Sequence, residues 1–306
     1  NPADAVGSAT TSKLSVGIVS AYQFYGDGSN LTGAGFSPDA DENLVAGTSA
    51  GNALDGSNAC FNIFLGSCAG YNNNTGECNI FIGKCSGLGV TSDDRVIAIG
   101  ECASGGAASV AIGVCANASA NGSNNVSIGN EAGKRVTGNA NVYLGVCAGR
   151  DATTTTANIA GGFNALRGNG STCVTGDYNV AFGYQAGFCL TSGGCNIFIG
   201  KSSGYKSTTG TFNIVIGEGA ASNCNLTGGN NIALGRNSGY FIAGGNRNLF
   251  LGLQAGKYAN SNDGIALGQE ALGGAVSSGN DNIAIGCFAG HKTTSGSTNI
   301  TIGKGA

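Results

Sequence analysis

The chain has 306 residues, a net charge of −3 and 10% charged residues, and 57 of its positions are glycine. The mild acidity gives no reason to expect nucleic acid as a partner. The sequence contains no apolar run of about eighteen residues, so we expect no membrane insertion.

Residues 1–42 precede the regular part of the chain. The stretch 14–25 has the composition of a strand, and 26–33 is rich in turn residues. We expect this segment to cap the array or to connect it to a preceding module. The chain begins with Asn1 and has no methionine, which indicates a processed chain or a segment of a longer protein.

Residues 43–306 are a repeat array. Each repeat ends a short apolar stretch with a glycine, here called the strand glycine, and successive strand glycines are on average about 17 residues apart. One coil is the segment from one strand glycine to the next. The sixteen strand glycines are Gly47, Gly66, Gly83, Gly100, Gly113, Gly129, Gly145, Gly162, Gly183, Gly200, Gly217, Gly235, Gly252, Gly268, Gly286 and Gly303.

Four positions around the strand glycine keep their character along the array. The residue three before it is aliphatic in all sixteen copies, and the residue one before it is large and apolar in fourteen. The residue four before it is Asn in thirteen copies, and the residue three after it is Ala or Ser in all sixteen. Apolar residues two apart share one face of a strand. A unit of this length has no room for a βαβ crossover.

The pattern therefore predicts an all-β fold, a parallel β-solenoid of about 16 coils of about 17 residues. We expect the Asn side chains to form a ladder between coils and the small residues to line a narrow corner. The two aliphatic positions of each strand are predicted to form the core of the roll. They include Ile63, Leu65, Ile80, Ile82, Ile197, Ile199, Ile283 and Ile285.

The residue between the two aliphatics lies on the opposite face of the strand. It is apolar or aromatic in fourteen of sixteen copies, so it would form a long apolar stripe, which monomers rarely expose. This pattern favours a homotrimer, intertwined or side by side, in which the stripes meet. The alternative is that a second layer of the same chain covers the stripe. The predicted interface residues are Val45, Phe64, Phe81, Tyr143, Phe198, Val215 and Phe250.

Two parts of the sequence resemble segments of viral fibres. The run Gly-Asp-Gly-Ser-Asn-Leu-Thr-Gly at 26–33, placed after a strand, resembles a module of fibre and virion structural proteins of marine tailed phages, cyanophages especially. The repeat NIFLGSCAGYNNNTGECNIFIG at 62–83 looks like arrays in such proteins. The resemblance implies a tail fibre or appendage on the virion surface.

A second resemblance begins at Ser109. The stretch SVAIGVCANASANG at 109–122 is similar to the head repeat of trimeric autotransporter adhesins. That resemblance implies a left-handed parallel β-roll, three rolls to a trimer, with Val110 and Ile112 inside the roll. Most copies here depart from the family pattern, because they start with Asn and are about 17 rather than about 14 residues long.

The twelve cysteines leave more than one interpretation open. Cys60 and Cys78 precede the Asn positions of adjacent coils, and Cys189 and Cys195 flank one longer loop. These two pairs are the candidate disulfides if the chain is extracellular. Buried free thiols are the alternative. A zinc site is disfavoured because the sequence has no Cys-x-x-Cys and one histidine, His291.

Long aromatic side chains recur five residues after the strand glycine. Tyr71, Tyr205 and Tyr240 occupy this position and are candidates for recognition of surface glycans. Alternatively they shield the corners of the coils or contact a neighbouring protomer.

The sequence favours a structural, non-enzymatic fibre protein that forms a rigid trimeric rod for host attachment. Its acidic residues are scattered, whereas glycoside hydrolysis needs paired carboxylates at a cleft. We expect no cofactor and no metal. The expected partners are other copies of the chain, other fibre or baseplate proteins, and a glycan or protein receptor on the host. The alternative is a bacterial surface adhesin or extracellular filament subunit built on the same roll.

Overall fold

The computed structural model describes residues 38–306 except for 57, 120, 171–172, 224 and 275–277. Residues 38–306 form one compact unit. The strand predicted at 14–25 and the turns at 26–33 lie outside the described residues, so the proposed cap or connector stays a prediction.

The described residues contain sixteen strands of three residues each, and all of them belong to one sheet. Each strand pairs in parallel with the next strand along the chain, so the predicted parallel β-solenoid is confirmed. The strands are β1 (Leu44–Ala46), β2 (Ile63–Leu65), β3 (Ile80–Ile82), β4 (Ile97–Ile99), β5 (Val110–Ile112), β6 (Val126–Ile128), β7 (Val142–Leu144), β8 (Ile159–Gly161), β9 (Val180–Phe182), β10 (Ile197–Ile199), β11 (Ile214–Ile216), β12 (Ile232–Leu234), β13 (Leu249–Leu251), β14 (Ile265–Leu267), β15 (Ile283–Ile285) and β16 (Ile300–Ile302).

The strand glycines stack directly on one another and set the register. All sixteen have φ between 122° and 137°, a region that side chains disfavour. A Cβ atom on Gly200 would lie 2.8 Å from the carbonyl oxygen of Gly217 in the next coil. The glycine is therefore required twice, by its own backbone angle and by the approach of the following coil.

The Asn ladder predicted from the sequence is present and buried. The main-chain N–H and the Nδ2 of Asn213 both donate to Oδ1 of Asn196, at 2.9 and 3.1 Å. Nδ2 of Asn213 also donates to the carbonyl of Gly228 at 3.0 Å. Asn231 repeats this arrangement on Asn213, with distances of 3.0 and 2.9 Å. Each buried amide is thus satisfied by the neighbouring coils, which offsets the cost of placing it in the interior.

The ladder continues through one of its three substitutions, Val96, Ser109 and Gly264. Val96 donates its main-chain N–H to Oδ1 of Asn79 at 2.8 Å but has no side-chain acceptor for the next coil. At the next coil Ser109 takes the position, and its Oγ accepts the main-chain N–H of Asn125 at 3.1 Å. Serine therefore preserves the acceptor, whereas valine interrupts it.

The two faces of the strands are the reverse of the prediction. The residue between the aliphatics points into the coil of its own chain. Six of the seven predicted interface residues are at most 1% exposed: Phe64, Phe81, Tyr143, Phe198, Val215 and Phe250. Val45, in β1, is 36% exposed. The predicted core residues are instead only half-buried or exposed, and this holds for Ile63, Leu65, Ile80, Ile82, Ile197, Ile199, Ile283 and Ile285.

A correlation in size between two sequence positions explains this orientation. The ring of Phe64 packs across the interior onto Gly70, four residues after the strand glycine, where a Cβ atom would lie 2.6 Å from the ring. All five buried rings of the strands have glycine at that position. Where the strand carries Ala160 or Ala266 instead, the facing position is Leu166 or Leu272, although Ala181, Ala233 and Ala284 also face glycine. Alternation separates the two faces, and the glycine opposite every buried ring identifies the inner one.

Replacing a strand glycine tests the contact between coils. In Gly200→Ala the new Cβ meets the Gly217 carbonyl, whereas in Gly303→Ala nothing lies within 4 Å at a similar φ. We expect Gly303→Ala to cost about 1–3 kcal/mol from backbone strain alone. Gly200→Ala should lose about 2 kcal/mol more because the coils must separate locally. Urea unfolding at equal chain concentration measures both, and equal losses would contradict the stacking account.

Replacing one rung of the Asn ladder tests its polar bonding. Asn213→Ala removes the acceptor of two donors on Asn231, and we expect a loss of about 2–4 kcal/mol in the free energy of unfolding. Asn299→Ala is the matched control, because Asn299 is exposed and no described residue donates to its Oδ1. Thermal and urea unfolding followed by circular dichroism should show about 1 kcal/mol or less for the control.

Candidate interaction surface

The outer face of the sheet is formed by the first and third residues of each strand. These residues are aliphatic or apolar throughout, and they stack like on like because the register is unbroken. Several are substantially exposed: Ile199 is 38%, Ile216 37% and Leu251 47% exposed. We call these two lines of side chains the outer columns. They contain no charged residue, so the single chain presents a continuous apolar face to its surroundings.

The apolar face widens in the middle of the array. The residue that follows the strand glycine is apolar after β5, β7, β8 and β9, and again as Leu253 after β13. The four in the middle of the array also point outward. These residues are Val114, Val146, Phe163 and Tyr184, each between 43% and 47% exposed. In other coils this position carries neutral residues, single cations or members of ion pairs between coils, and the ion pairs are Lys84 with Glu101 at 3.3 Å and Lys201 with Glu218 at 3.2 Å. Charge therefore lines one border of the apolar face and does not enter it.

The size of the outer columns is unusual for an exposed surface. Sixteen strands at about 4.8 Å spacing and about 10 Å in width give a strip on the order of 700 Å². The largest apolar patch of a typical monomer is about 300–600 Å², whereas a standard protein interface covers about 800 Å² per partner. The outer columns therefore have the dimensions of an interface.

The three tyrosines predicted for recognition lie on the coil corner. Tyr71 is 36% exposed, and Tyr205 and Tyr240 are half-buried. The ring of Tyr205 stacks on Phe188 of the preceding coil, with centroids 5.2 Å apart. Burial against these neighbours raises the pKa of the Tyr205 phenol. Tyr205 and Tyr240 line the same groove, whereas Tyr71 lies several coils away.

The predicted disulfides are absent. Cys60, Cys78, Cys189 and Cys195 are all free thiols, as are the other cysteines of the described residues. The main-chain N–H of Cys78 instead donates to the carbonyl of Cys60 at 3.0 Å, so the two residues are joined by the ladder between coils. Desolvation by burial raises the pKa of the Cys189 thiol, which favours its protonated form. Cys60 and Cys189 are partly buried, whereas Cys78 and Cys195 are exposed, so the alternative of buried free thiols does not describe these four residues either.

The one histidine of the array pairs with a carboxylate of a neighbouring coil. Nε2 of His291 lies 3.1 Å from Oε2 of Glu270 in the preceding coil, a carboxylate neighbour that the repeat pattern did not indicate. Within the described residues no group of three or more His, Cys, Asp and Glu side chains is placed to hold a metal ion. No helix of the described part is long and apolar enough to cross a membrane.

No family profile, curated protein or solved structure matches this chain. The features that bear on its function are the ladders, the outer columns and the groove lined by Tyr205 and Tyr240.

Proposed function

We propose that the chain is a structural, non-enzymatic protein that assembles into a rigid rod through its outer columns. The observation that carries this proposal is the continuous apolar strip of interface size on one face of the sheet. The occupant we propose for that face is a second copy of the same chain. Identical copies present identical strips, and their uncharged columns extend along the entire sheet, so sheets can pack face to face over its length.

The proposed stoichiometry is three, with the outer columns of the chains directed to a common axis. The resemblance of residues 109–122 to the heads of trimeric autotransporter adhesins supports this number. The interface residues differ from those that alternation suggested, because the aromatic residues of the strands fill the interior of their own chain. The aliphatic residues beside them take the role of contacting the partner.

The role we propose for the rod is host attachment at a virion surface, as a phage tail fibre or appendage. A solenoid held by glycine, Asn and aliphatic ladders repeats one set of contacts along its length, which is suited to an extended rigid element. Three parallel chains would also present any receptor-binding feature three times, which raises avidity without new contacts. The resemblance of residues 26–33 and 62–83 to phage fibre segments supports the same setting.

Charged substitutions in the outer columns test the assembly. Ile199→Lys, Ile216→Lys and Leu251→Lys together place three like charges in the strip, and their exposed side chains allow the single chain to keep its fold. The matched control is Thr209→Lys, Asn225→Lys and Thr227→Lys, which adds the same charge at exposed turn positions. Analytical ultracentrifugation of the native chain and both variants measures the mass.

We expect the native chain and the control to sediment at about three times the 29.9 kDa of one chain. The outer-column variant should sediment as a single chain with an unchanged circular dichroism spectrum. A native mass of two chains would retain the interface but reject the threefold arrangement. A native chain that sediments alone would contradict the proposed assembly.

A further inference from the structure

A groove of about 470 Å³ lies at the coil corner beside β10, β11 and β12. This volume lies in the range of small-ligand sites. Two of the predicted recognition residues, Tyr205 and Tyr240, are among the residues that line it. Between them lies the coil of β11, which contributes Gly219 and Ser222 at the positions where neighbouring coils carry longer side chains.

The groove lies where a column of stacked side chains is interrupted, and we call this gap the missing rung. Five residues after the strand glycine, successive coils carry Arg167, Phe188 and Tyr205. The guanidinium carbon of Arg167 lies 5.7 Å from the centroid of Phe188, and the rings of Phe188 and Tyr205 stack with an interplanar angle of 11°. The next coil carries Ser222 at this position, and the one after it carries Tyr240.

The spacing of the coils gives this gap a defined width. Tyr205 and Tyr240 are two coils apart, about 9.6 Å at the usual spacing of strands. The coils stay in register here, because the N–H of Asn223 donates to the Tyr240 carbonyl at 3.0 Å. A ring inserted midway would lie about 4.8 Å from each tyrosine, within the distances at which ring centroids contact one another. The width is that of one inserted ring.

The floor of the groove at the coil of β11 is closed by a side chain of the next coil. Gly219 is buried, and Oδ1 of Asn237 occupies the space that a Cβ atom there would take. The side chains of Ser222, Asn223 and Asn237 border the gap and can donate or accept hydrogen bonds. Two tyrosine rings in the lining and amide and hydroxyl groups around them are a combination suited to a pyranose, whose C–H faces are apolar and whose edge carries hydroxyls.

The charges of the groove favour an anion. Lys201, Lys206 and Arg236 line it, against the single carboxylate of Glu218. Lys201 pairs with Glu218 at 3.2 Å, and Nζ of Lys206 donates to Asn223 at 3.1 Å. The exposed guanidinium of Arg236 has no hydrogen-bond or ion-pair partner among the described residues. Arginine binds carboxylates with two parallel hydrogen bonds, so Arg236 is free to hold one.

We propose that this groove binds one hexuronate unit of an acidic polysaccharide, with the sugar ring between Tyr205 and Tyr240 and its carboxylate at Arg236. This inference names a ligand for the proposed attachment role, and it rests on that role for the assignment of the sugar to a host surface. The groove itself is formed by one chain and does not require the trimer.

Binding of sodium glucuronate, a free hexuronate monosaccharide, tests the proposal. Saturation-transfer NMR or calorimetry measures the binding. For a single sugar unit we expect a Kd on the order of 1 mM. Glucose has the ring without the charge, and gluconate has the charge without the ring, so each should bind at least fivefold more weakly. Equal binding of gluconate or of inorganic phosphate would overturn the sugar assignment in favour of a general anion site.

Three variants test whether glucuronate binding depends on the gap between Tyr205 and Tyr240. Ser222→Tyr supplies the absent ring and should weaken glucuronate binding at least tenfold, and Tyr240→Ala should do the same by removing one wall. Tyr71→Ala, at the same position of a distant coil, is the control and should bind like the native chain. Undiminished binding in Tyr240→Ala, or in a folded Ser222→Tyr, would overturn the proposal.

Sedimentation of the same samples separates this inference from the proposed rod. A native mass in Tyr240→Ala together with lost binding supports the groove and leaves the assembly unaffected. Glucuronate binding by a chain that sediments alone would support the groove while rejecting the trimer. An assembled chain that binds no glucuronate would reject the groove alone.

Discussion

The close approach of strand glycines in successive coils is the constraint on which the rest of the structure depends. A side chain cannot occupy the space between Gly200 and the carbonyl of Gly217, so the two coils meet in one register. Once that register is set, every other position stacks on its equivalent in the next coil. Asn bonds Asn, ring stacks on ring as Phe64 does on Phe81 at 4.8 Å, and oppositely charged residues pair along the border. Much of the molecule is a consequence of this one repeated contact.

The interior of each coil is narrow, so much of the apolar surface of the strands lies on the outside. Only one residue of each three-residue strand points inward, and every buried ring faces a glycine across the coil, as Phe64 faces Gly70. The two remaining aliphatic residues cannot be covered by a chain that contributes one layer to each coil. A face of this size in water is a large unfavourable exposure, which the proposed association of copies would remove. Self-assembly is thus proposed as a consequence of the coil's small cross-section.

The sequence was sufficient to predict the solenoid but not to predict which face of each strand points into the coil. The repeat of glycine, Asn and paired aliphatics predicted the parallel strands and the Asn ladder, because each has a strict spacing. Period-two alternation treats both faces equally, so it assigned Ile80 and Ile82 to the core and Phe81 to the outside, which is wrong. The pairing of each buried ring with a glycine, such as Phe81 with Gly87, carried the missing information but links positions across the coil. The groove depends on three successive coils together, so single candidate tyrosines did not reveal its missing rung.

Hydroxyl-radical footprinting of two phenylalanines from the same sheet tests the central claim most directly. Phe250 is buried within its own coil, whereas Phe182 is 42% exposed on the outer face of the single chain. The account predicts that both rings are protected in the assembled protein, and that dissociation into single chains makes Phe182 reactive while Phe250 stays protected. Oxidation of Phe250 on dissociation, with Phe182 unchanged, would show that the interior and the interface are the other way round.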